Sequence, residues 1–277
     1  MFKDLKENNF PIISIIILTR NGLGFTKECV TSIMANTNIN YELIIIDNGS
    51  SDGTKEYLSE LAFPVRTVFN DQNKGFSGGC NQGLSIASGD YFVLLNNDTI
   101  VTEDWLTRLV WWLDNDKEIG IVGPRSNSTR YKQLVSPVPY HSVDEMPMFA
   151  KKWTSANFKK GFQVNNLSGL CMAFKRELVM KIGGLDERFF PGNFEDTDYC
   201  IRTLIAGQKL WVANDVYIHH YGNTTFKVNK EHYKYVFIEN KKRFCSKWGL
   251  KPAYDINELV KREQPFTPSK HYIPITL

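Results

Sequence analysis

The 277-residue chain predicts an α/β fold, an open and mainly parallel sheet with helices on both faces. Three observations carry this reading. Residues 12–18 (IISIIIL) are a short, nearly continuous β-branched apolar run, which suits a central parallel strand buried on both sides. Strand-like and helix-like stretches then alternate through the first hundred residues, the order that builds βαβ crossovers. Polar clusters directly follow the apolar runs, at the carboxyl ends of strands where open sheets bind ligands.

The elements follow in chain order. Thr26 can cap a helix in which Val30, Ile33 and Met34 recur at helical spacing. Residues 41–47 (YELIIID) form a second strand, and 48–53 (NGSSDG) a turn cluster. Residues 54–61 read as a helix, 65–69 as a strand, 78–88 as a helix and 91–95 (YFVLL) as a fourth strand. Residues 103–115 are an amphipathic helix with Leu106, Leu109, Val110 and Leu113 on one stripe. Residues 119–123 make another strand. Residues 124–161 are weakly periodic, as expected of a functional loop or small subdomain. Strand-like 167–174, helix-like 176–182, a helix over 195–206, a short strand over 216–219 and a basic helix over 230–248 complete the order. The proline-bearing tail, 251–277, is expected to wrap the surface or to be partly disordered.

Composition excludes several classes. A net charge of +3 is too small to argue for a nucleic-acid partner. No run of about 18 apolar residues is present, and residues 1–10 lack the apolar stretch of a signal peptide, so a cytoplasmic protein is expected. The five cysteines are scattered and form no Cys-x-x-Cys pair, which argues for buried thiols rather than disulfides or a zinc site.

Candidate chemistry sits at the strand ends. Asp47 and Asn48 can read a base edge, or can simply close an Asx turn. Residues 73–79 (NKGFSGG) can bring backbone N–H groups to a phosphate, or can be a flexible turn. Asn96, Asn97 and Asp98 end an apolar strand; a diphosphate with a hard divalent cation would satisfy Asp98 there. Glu195, Asp196 and Asp198 crowd one helix start, and like charges so close push at least one pKa up, which suits a general base. His219 and His220 end another short strand.

Taken in order, these segments resemble the family 2 glycosyltransferases, which have the GT-A fold, and more narrowly the bacterial rhamnosyltransferase-like branch. The resemblance spans residues 11–249 and rests on IISIIILTRN, IIIDNGSSDGT, NKGFSGGCNQG with LLNNDT, and GGLDERFFPGNFEDTDYCIR. It implies a GT-A domain over 11–225, divided into a nucleotide-binding half (11–123) and an acceptor-binding half (124–225). A short arm (1–10) precedes it, and a helical extension and tail (226–277) follow. It implies inverting transfer from a nucleoside diphosphate sugar, with uracil, thymine and guanine all open and UDP- or dTDP-sugars preferred, to a saccharide, lipid-linked saccharide or other hydroxyl acceptor, in bacterial surface polysaccharide or glycoconjugate synthesis. By motif position Asp196 would be the base. Asp98 and His219 would hold Mn²⁺ or Mg²⁺, with His219 placed ahead of His220 on spacing. Thr19, Arg20, Asn21, Asp47, Asn48, Asn73, Gly75, Asn81 and Asn97 would line the nucleotide pocket. Glu195 and Asp198 would meet donor or acceptor hydroxyls, or orient the helix. Many relatives carry Asp-x-Asp where this chain has Asn96-Asn97-Asp98, which should weaken metal binding. A non-catalytic sugar-nucleotide-binding protein and a sugar nucleotidyltransferase are the alternatives. The basic run Lys241-Lys242-Arg243 would suit contact with anionic lipid at the membrane face, or would simply be solvated.

Overall fold

The structure is a computed structural model and describes residues 13–61, 65–222, 233–251, 253 and 265–277. The expected arm 1–10 and most of 251–264 lie outside the described residues.

The first half follows the expected alternation: β1 (Ile13–Thr19), α1 (Leu23–Asn36), β2 (Tyr41–Asp47), α2 (Thr54–Ser59), β3 (Val65–Phe69), α3 (Gly75–Ile86) and β4 (Tyr91–Asn96). Next come β5 (Thr99–Ile100), α4 (Trp105–Asn115), β6 (Ile119–Arg125), α5 (Met146–Ala156), β7 (Gly161–Val164), β8 (Cys171–Lys175) and α6 (Arg176–Ile182). α7 (Glu195–Ile205), β9 (Lys209–Tyr217), β10 (His219–His220), α8 (Tyr233–Trp248) and α9 (Pro268–His271) complete the described elements.

Eight strands form one sheet in the order β3-β2-β1-β4-β8-β6-β9-β7. β3, β2, β1 and β4 are parallel, β8 runs antiparallel between β4 and β6, and β7 is antiparallel to β9. The sheet is therefore mixed and mainly parallel. Alternate side chains of β1 feed opposite faces: Ile13, Ile15 and Ile17 pack with α1 and α4, and Ile16 packs with α3, α6 and α7. The α4 stripe Leu106, Leu109, Val110 and Leu113 is buried as its spacing predicts. Burying each such side chain stabilises the fold by about 1.5–3 kcal/mol. All five cysteines are buried and free.

Several expectations change on inspection. α1 begins at Leu23, so Thr26 lies inside the helix, and its hydroxyl pairs with Thr19 rather than capping. Thr102, ahead of α4, donates its hydroxyl to the Tyr217 carbonyl. The segment 124–161 holds α5 and leads into β7. The glycines after Asn73 belong to α3. A Cβ at Gly79 would sit 2.2 Å from a Leu18 methyl, and one at Gly83 2.3 Å from an Ile16 methyl. They exist to lay α3 close against β1. The first amides of α3 are already engaged, Gly75 N–H by Asn73 Oδ1 and Phe76 N–H by the Pro191 carbonyl. Part of the tail does wrap the body: Ile273 bridges to Gly183, and Ile275 packs against the core.

Candidate active site

A cleft of about 460 Å³ opens beyond the carboxyl ends of β1, β2 and β4, where an α/β sheet is expected to bind ligands. Asp98 and Asp196 both line it. Asp98 sits in the turn from β4 to β5. β5 pairs antiparallel with β10, placing Thr99 opposite His220 and Ile100 opposite His219. Successive side chains on a strand face opposite ways, so one imidazole of the pair turns toward Asp98 and the other turns away.

His220 is the one that turns in. Its Nε2 lies 3.1 Å from Asp98 Oδ1, and its Nδ1 lies 2.6 Å from the Ser128 carbonyl, to which it donates. His219 instead sits 2.8 Å from the Tyr140 hydroxyl in a buried cluster with Tyr217 and Phe149. The placement of His219 at the site is thus corrected to His220; spacing along the chain does not reveal which face of a two-residue strand meets Asp98. Burial opposes a charge on His220, but Asp98 outweighs it and holds the imidazole pKa above its ordinary value. Burial, then the neighbouring His220, pushes His219 down.

Across the cleft, Asp196 stands in the first turn of α7. Its Oδ2 accepts from Gly169 N–H at 3.0 Å and its Oδ1 from Thr197 N–H at 2.7 Å. Burial raises its pKa above the ordinary carboxylate value, and these two amides restrain the rise. Glu195 also lines the cleft, and burial followed by the Asp196 charge pushes its carboxyl well upward. Asp198 does not share this environment. It is fully buried, bonded to Arg202 Nε at 2.9 Å and Trp248 Nε1 at 3.0 Å, and ion-paired with Lys247. Of the two roles expected for it, meeting sugar hydroxyls or orienting the helix, these partners fit the second: Asp198 ties α7 to α8.

The nucleotide side divides as well. Thr19, Arg20, Asn48, Asn73, Gly75 and Asn97 line the cleft. The Asn48 amide donates to the Gly75 carbonyl at 3.0 Å and so holds the loop before α3. The Asn97 amide reaches Thr26 at 3.0 Å and Thr19 at 3.3 Å, bracing β4 against β1. Asp47, Asn21 and Asn81 are not among the lining residues. Asp47 accepts from the Ser50 hydroxyl and amide and closes its own turn. Asn21 accepts from Ser51 N–H at 2.8 Å. Asn81 exchanges hydrogen bonds with the Leu185 backbone, 2.9 and 2.8 Å, joining α3 to the loop after α6. In each case a backbone group of the protein, near in sequence for Asp47 and distant for Asn21 and Asn81, engages the side chain that motif position had assigned to the ligand.

The other wall draws on the 124–161 segment expected to be functional, and on two α8 residues that sequence reasoning missed. Ser128, Thr129 and Arg130 follow β6, and Tyr233 and Phe237 come from α8; all five line the cleft. The two aromatics stand four apart on α8 and so share a face, a signal that was legible but had no partner to interpret it. The basic run at 241–243 is partly engaged in this architecture, since Arg243 bonds the Phe190 carbonyl and Asn240 Oδ1.

The mixed sheet with its cleft at the strand ends places the chain in the class of GT-A-type α/β proteins. GalNAc-T7, solved with UDP, GalNAc and Mn²⁺, superposes with a TM-score of 0.66 at 16% identity, covering 94% of this chain and 56% of that one. The mannosyltransferase PcManGT from Pyrobaculum calidifontis, solved with GDP-Man and Mn²⁺, gives 0.60 at 17% identity, covering 86% and 65%. The profile of glycosyl transferase family 2 matches residues 14–183, more than half the chain, and the chain belongs to that family. An uncharacterized glycosyltransferase of Haemophilus influenzae is 31% identical over 42% of this chain and 36% of its own length. The poly-beta-1,6-N-acetyl-D-glucosamine synthase of Staphylococcus aureus is 27% identical over 75% of this chain and 47% of its own length. The chain thus spans less than half of either relative.

Proposed function

We propose that this chain transfers a glycosyl group from a nucleoside diphosphate sugar, UDP- or dTDP-linked by preference, to an acceptor hydroxyl with inversion. The observation that carries the reading is the meeting of Asp98, His220 and Asp196 in one cleft at the strand ends. The hexosyl or deoxyhexosyl character and a role in polysaccharide or glycoconjugate synthesis are parts of the same proposal. The name of the S. aureus relative supports the second.

The donor set fits a divalent cation, Mn²⁺ or Mg²⁺. With Nδ1–H given to the Ser128 carbonyl, a neutral His220 presents a lone pair to the Asp98 carboxylate 3.1 Å away. Two acceptors that close need a proton or a cation between them, and a backbone carbonyl on the far nitrogen is how metal-binding imidazoles are oriented. Among the described residues no cluster of three or more His, Cys, Asp or Glu side chains stands ready for a metal. Asp98 and His220 would be joined by diphosphate oxygens and water, the hard ligands Mg²⁺ and Mn²⁺ favour. A cation held there would neutralise charge developing on the leaving diphosphate.

The residues of the chain do the rest. Asn48, Asn73 and Thr19 bound the pocket for the nucleoside. Asp196, ionised and fixed by two backbone amides, takes the acceptor proton onto a carboxylate oxygen as the acceptor oxygen attacks the anomeric carbon. The glycosidic bond to the diphosphate breaks on the opposite face. The raised pKa of Asp196 strengthens it as a base.

A thermal-shift panel of UDP, dTDP and GDP with Mn²⁺ tests the donor assignment. Binding at one hundred times Kd should stabilise the protein by about 2.7 kcal/mol. Asp196→Asn should keep that stabilisation and lose transfer; undiminished turnover in this variant would remove Asp196 as the base.

A further inference from the structure

We infer that α8 completes the acceptor side of the cleft and that the acceptor it receives is a pyranose ring rather than a simple hydroxyl. The inference rests on the glycosyl-transfer reading above and names the substrate class on its acceptor side. α8 lies beyond residues 14–183, the part of the chain the family profile matches.

The first support is an aromatic wall. Tyr233 and Phe237 of α8 and Phe194 of the loop before α7 all line the cleft that holds Asp196. The Phe194 and Phe237 ring centroids are 5.1 Å apart, and those of Tyr233 and Phe237 are 6.1 Å apart. Arg130 clasps the wall from the opposite rim, its guanidinium 5.3 Å from the Phe237 centroid and 2.5 Å from the Tyr233 hydroxyl. A pyranose presents one face of C–H bonds, apolar enough to pack on such rings, and an equator of hydroxyls.

The second support is independent. Thr129 Oγ1, Asn193 Nδ2 and Glu195 Oε2 are buried polar atoms with no hydrogen-bond partner among the described residues, and all three residues line the same cleft. Buried polar groups are rarely left unpaired, because an unmet donor or acceptor costs about 1–3 kcal/mol. A hydroxyl, an amide donor and a carboxyl oxygen are the complement of a polyol. Asn193 and Phe194 also hold left-handed backbone conformations, φ 79° and 77°, unusual for residues other than glycine. Strain of this kind persists where the surroundings enforce it. Here Asn240 of α8 enforces it, donating to the carbonyls of Phe189 and Gly192 at 2.8 and 2.7 Å. α8 thus supplies two of the rings and also fixes the loop that carries the third ring, the amide and the carboxyl.

The test uses the whole chain with UDP, dTDP or GDP and Mn²⁺, and a panel of methyl α- and β-hexopyranosides as probes. Saturation-transfer NMR should show contact through ring C–H protons of at least one pyranoside. Phe237→Ala should abolish that contact while the nucleotide thermal shift stays unchanged, and Phe237→Trp should restore it. Asn193→Gly accommodates the positive φ, so it removes the amide without backbone strain; it should weaken pyranoside binding by roughly tenfold, the worth of one good hydrogen bond. Nucleotide binding with no pyranoside contact, or contact untouched by Phe237→Ala, overturns this inference alone. Absence of any nucleotide shift overturns the donor reading and this inference with it.

Discussion

Asp196 and Asp198 are two residues apart on one helical turn and live in opposite worlds. Asp196 faces the cleft, held by two backbone amides and raised in pKa by burial. Asp198 faces inward, fully buried against Arg202, Lys247 and Trp248. The carboxylate with permanent partners of opposite charge is structural. The one held by backbone amides and the Thr197 hydroxyl, with no ion pair at contact distance among the described residues, keeps lone pairs for a ligand. An acidic cluster at a helix start is therefore not one feature, and its function is assigned by what each carboxyl meets.

Substitutions can sharpen this contrast. The largest effect should come from Asp196→Asn, lowering turnover by about 10²–10⁴-fold with little change in urea midpoint. Asp198→Ala should do the reverse, costing about 3–5 kcal/mol because Arg202 and Lys247 are left buried and uncompensated; an unchanged urea midpoint would contradict the structural role. The paired histidines should split in the same manner. His220→Ala should weaken Mn²⁺-dependent nucleotide binding about tenfold or more, following the loss of a metal-site imidazole. His219→Phe should leave that binding intact and cost only about 1 kcal/mol of stability, the Tyr140 hydrogen bond. Equal losses of Mn²⁺-dependent binding from both histidines would show that the register of β10 is not what selects the ligand.

The smallest effect is a pH dependence. Asp186 sits beside Asp198 on the same lysine, 2.8 Å from Lys247 Nζ and 2.6 Å from Arg188. Burial would raise its pKa, but the hydrogen bonds from Arg188 and Lys247 prevail and hold it well below the usual carboxylate range. Its folded pKa is lower than its unfolded one, so its contribution is complete above the unfolded value of about 3.9 and is lost as pH falls through the folded value. Urea titrations from pH 6 to pH 2 should show Asp186→Asn flattening the acid loss of stability.

The sequence exposed the parts of the fold in which pattern and burial agree. The β1 run, the α4 stripe and α6 each bury one apolar set without interruption, and their bounds shift little. β9 escaped because Asn214 and Asp215 interrupt its apolar pattern. Asp215 is buried there against Trp112 Nε1 and the Lys159 amide, at 2.9 and 3.0 Å, with the Arg108 guanidinium 3.7 Å away. α5 escaped because its apolar residues are spread through a segment rich in polar ones. At the site, motif order was enough to place Asp98 and Asp196 on one cleft. It could not separate His219 from His220, which depends on strand register. Nor could it foresee that the Ser50 amide would engage Asp47, or that the distant Leu185 backbone would engage Asn81. The wall from α8 is a tertiary contact across fifty residues or so of chain, and no local pattern encodes it.

Asn240 makes the shape of that wall hinge on a single pair of hydrogens. Its amide nitrogen is surrounded by carbonyl oxygens of Phe189, Phe190 and Gly192. Exchanging the nitrogen for oxygen, as in Asn240→Asp, alters volume hardly at all yet turns every one of those attractions into a repulsion between acceptors. Deamidation of this one side chain would therefore loosen the grip of α8 on the 189–194 loop, leaving Arg243 and the Phe189–Phe244 packing to hold it.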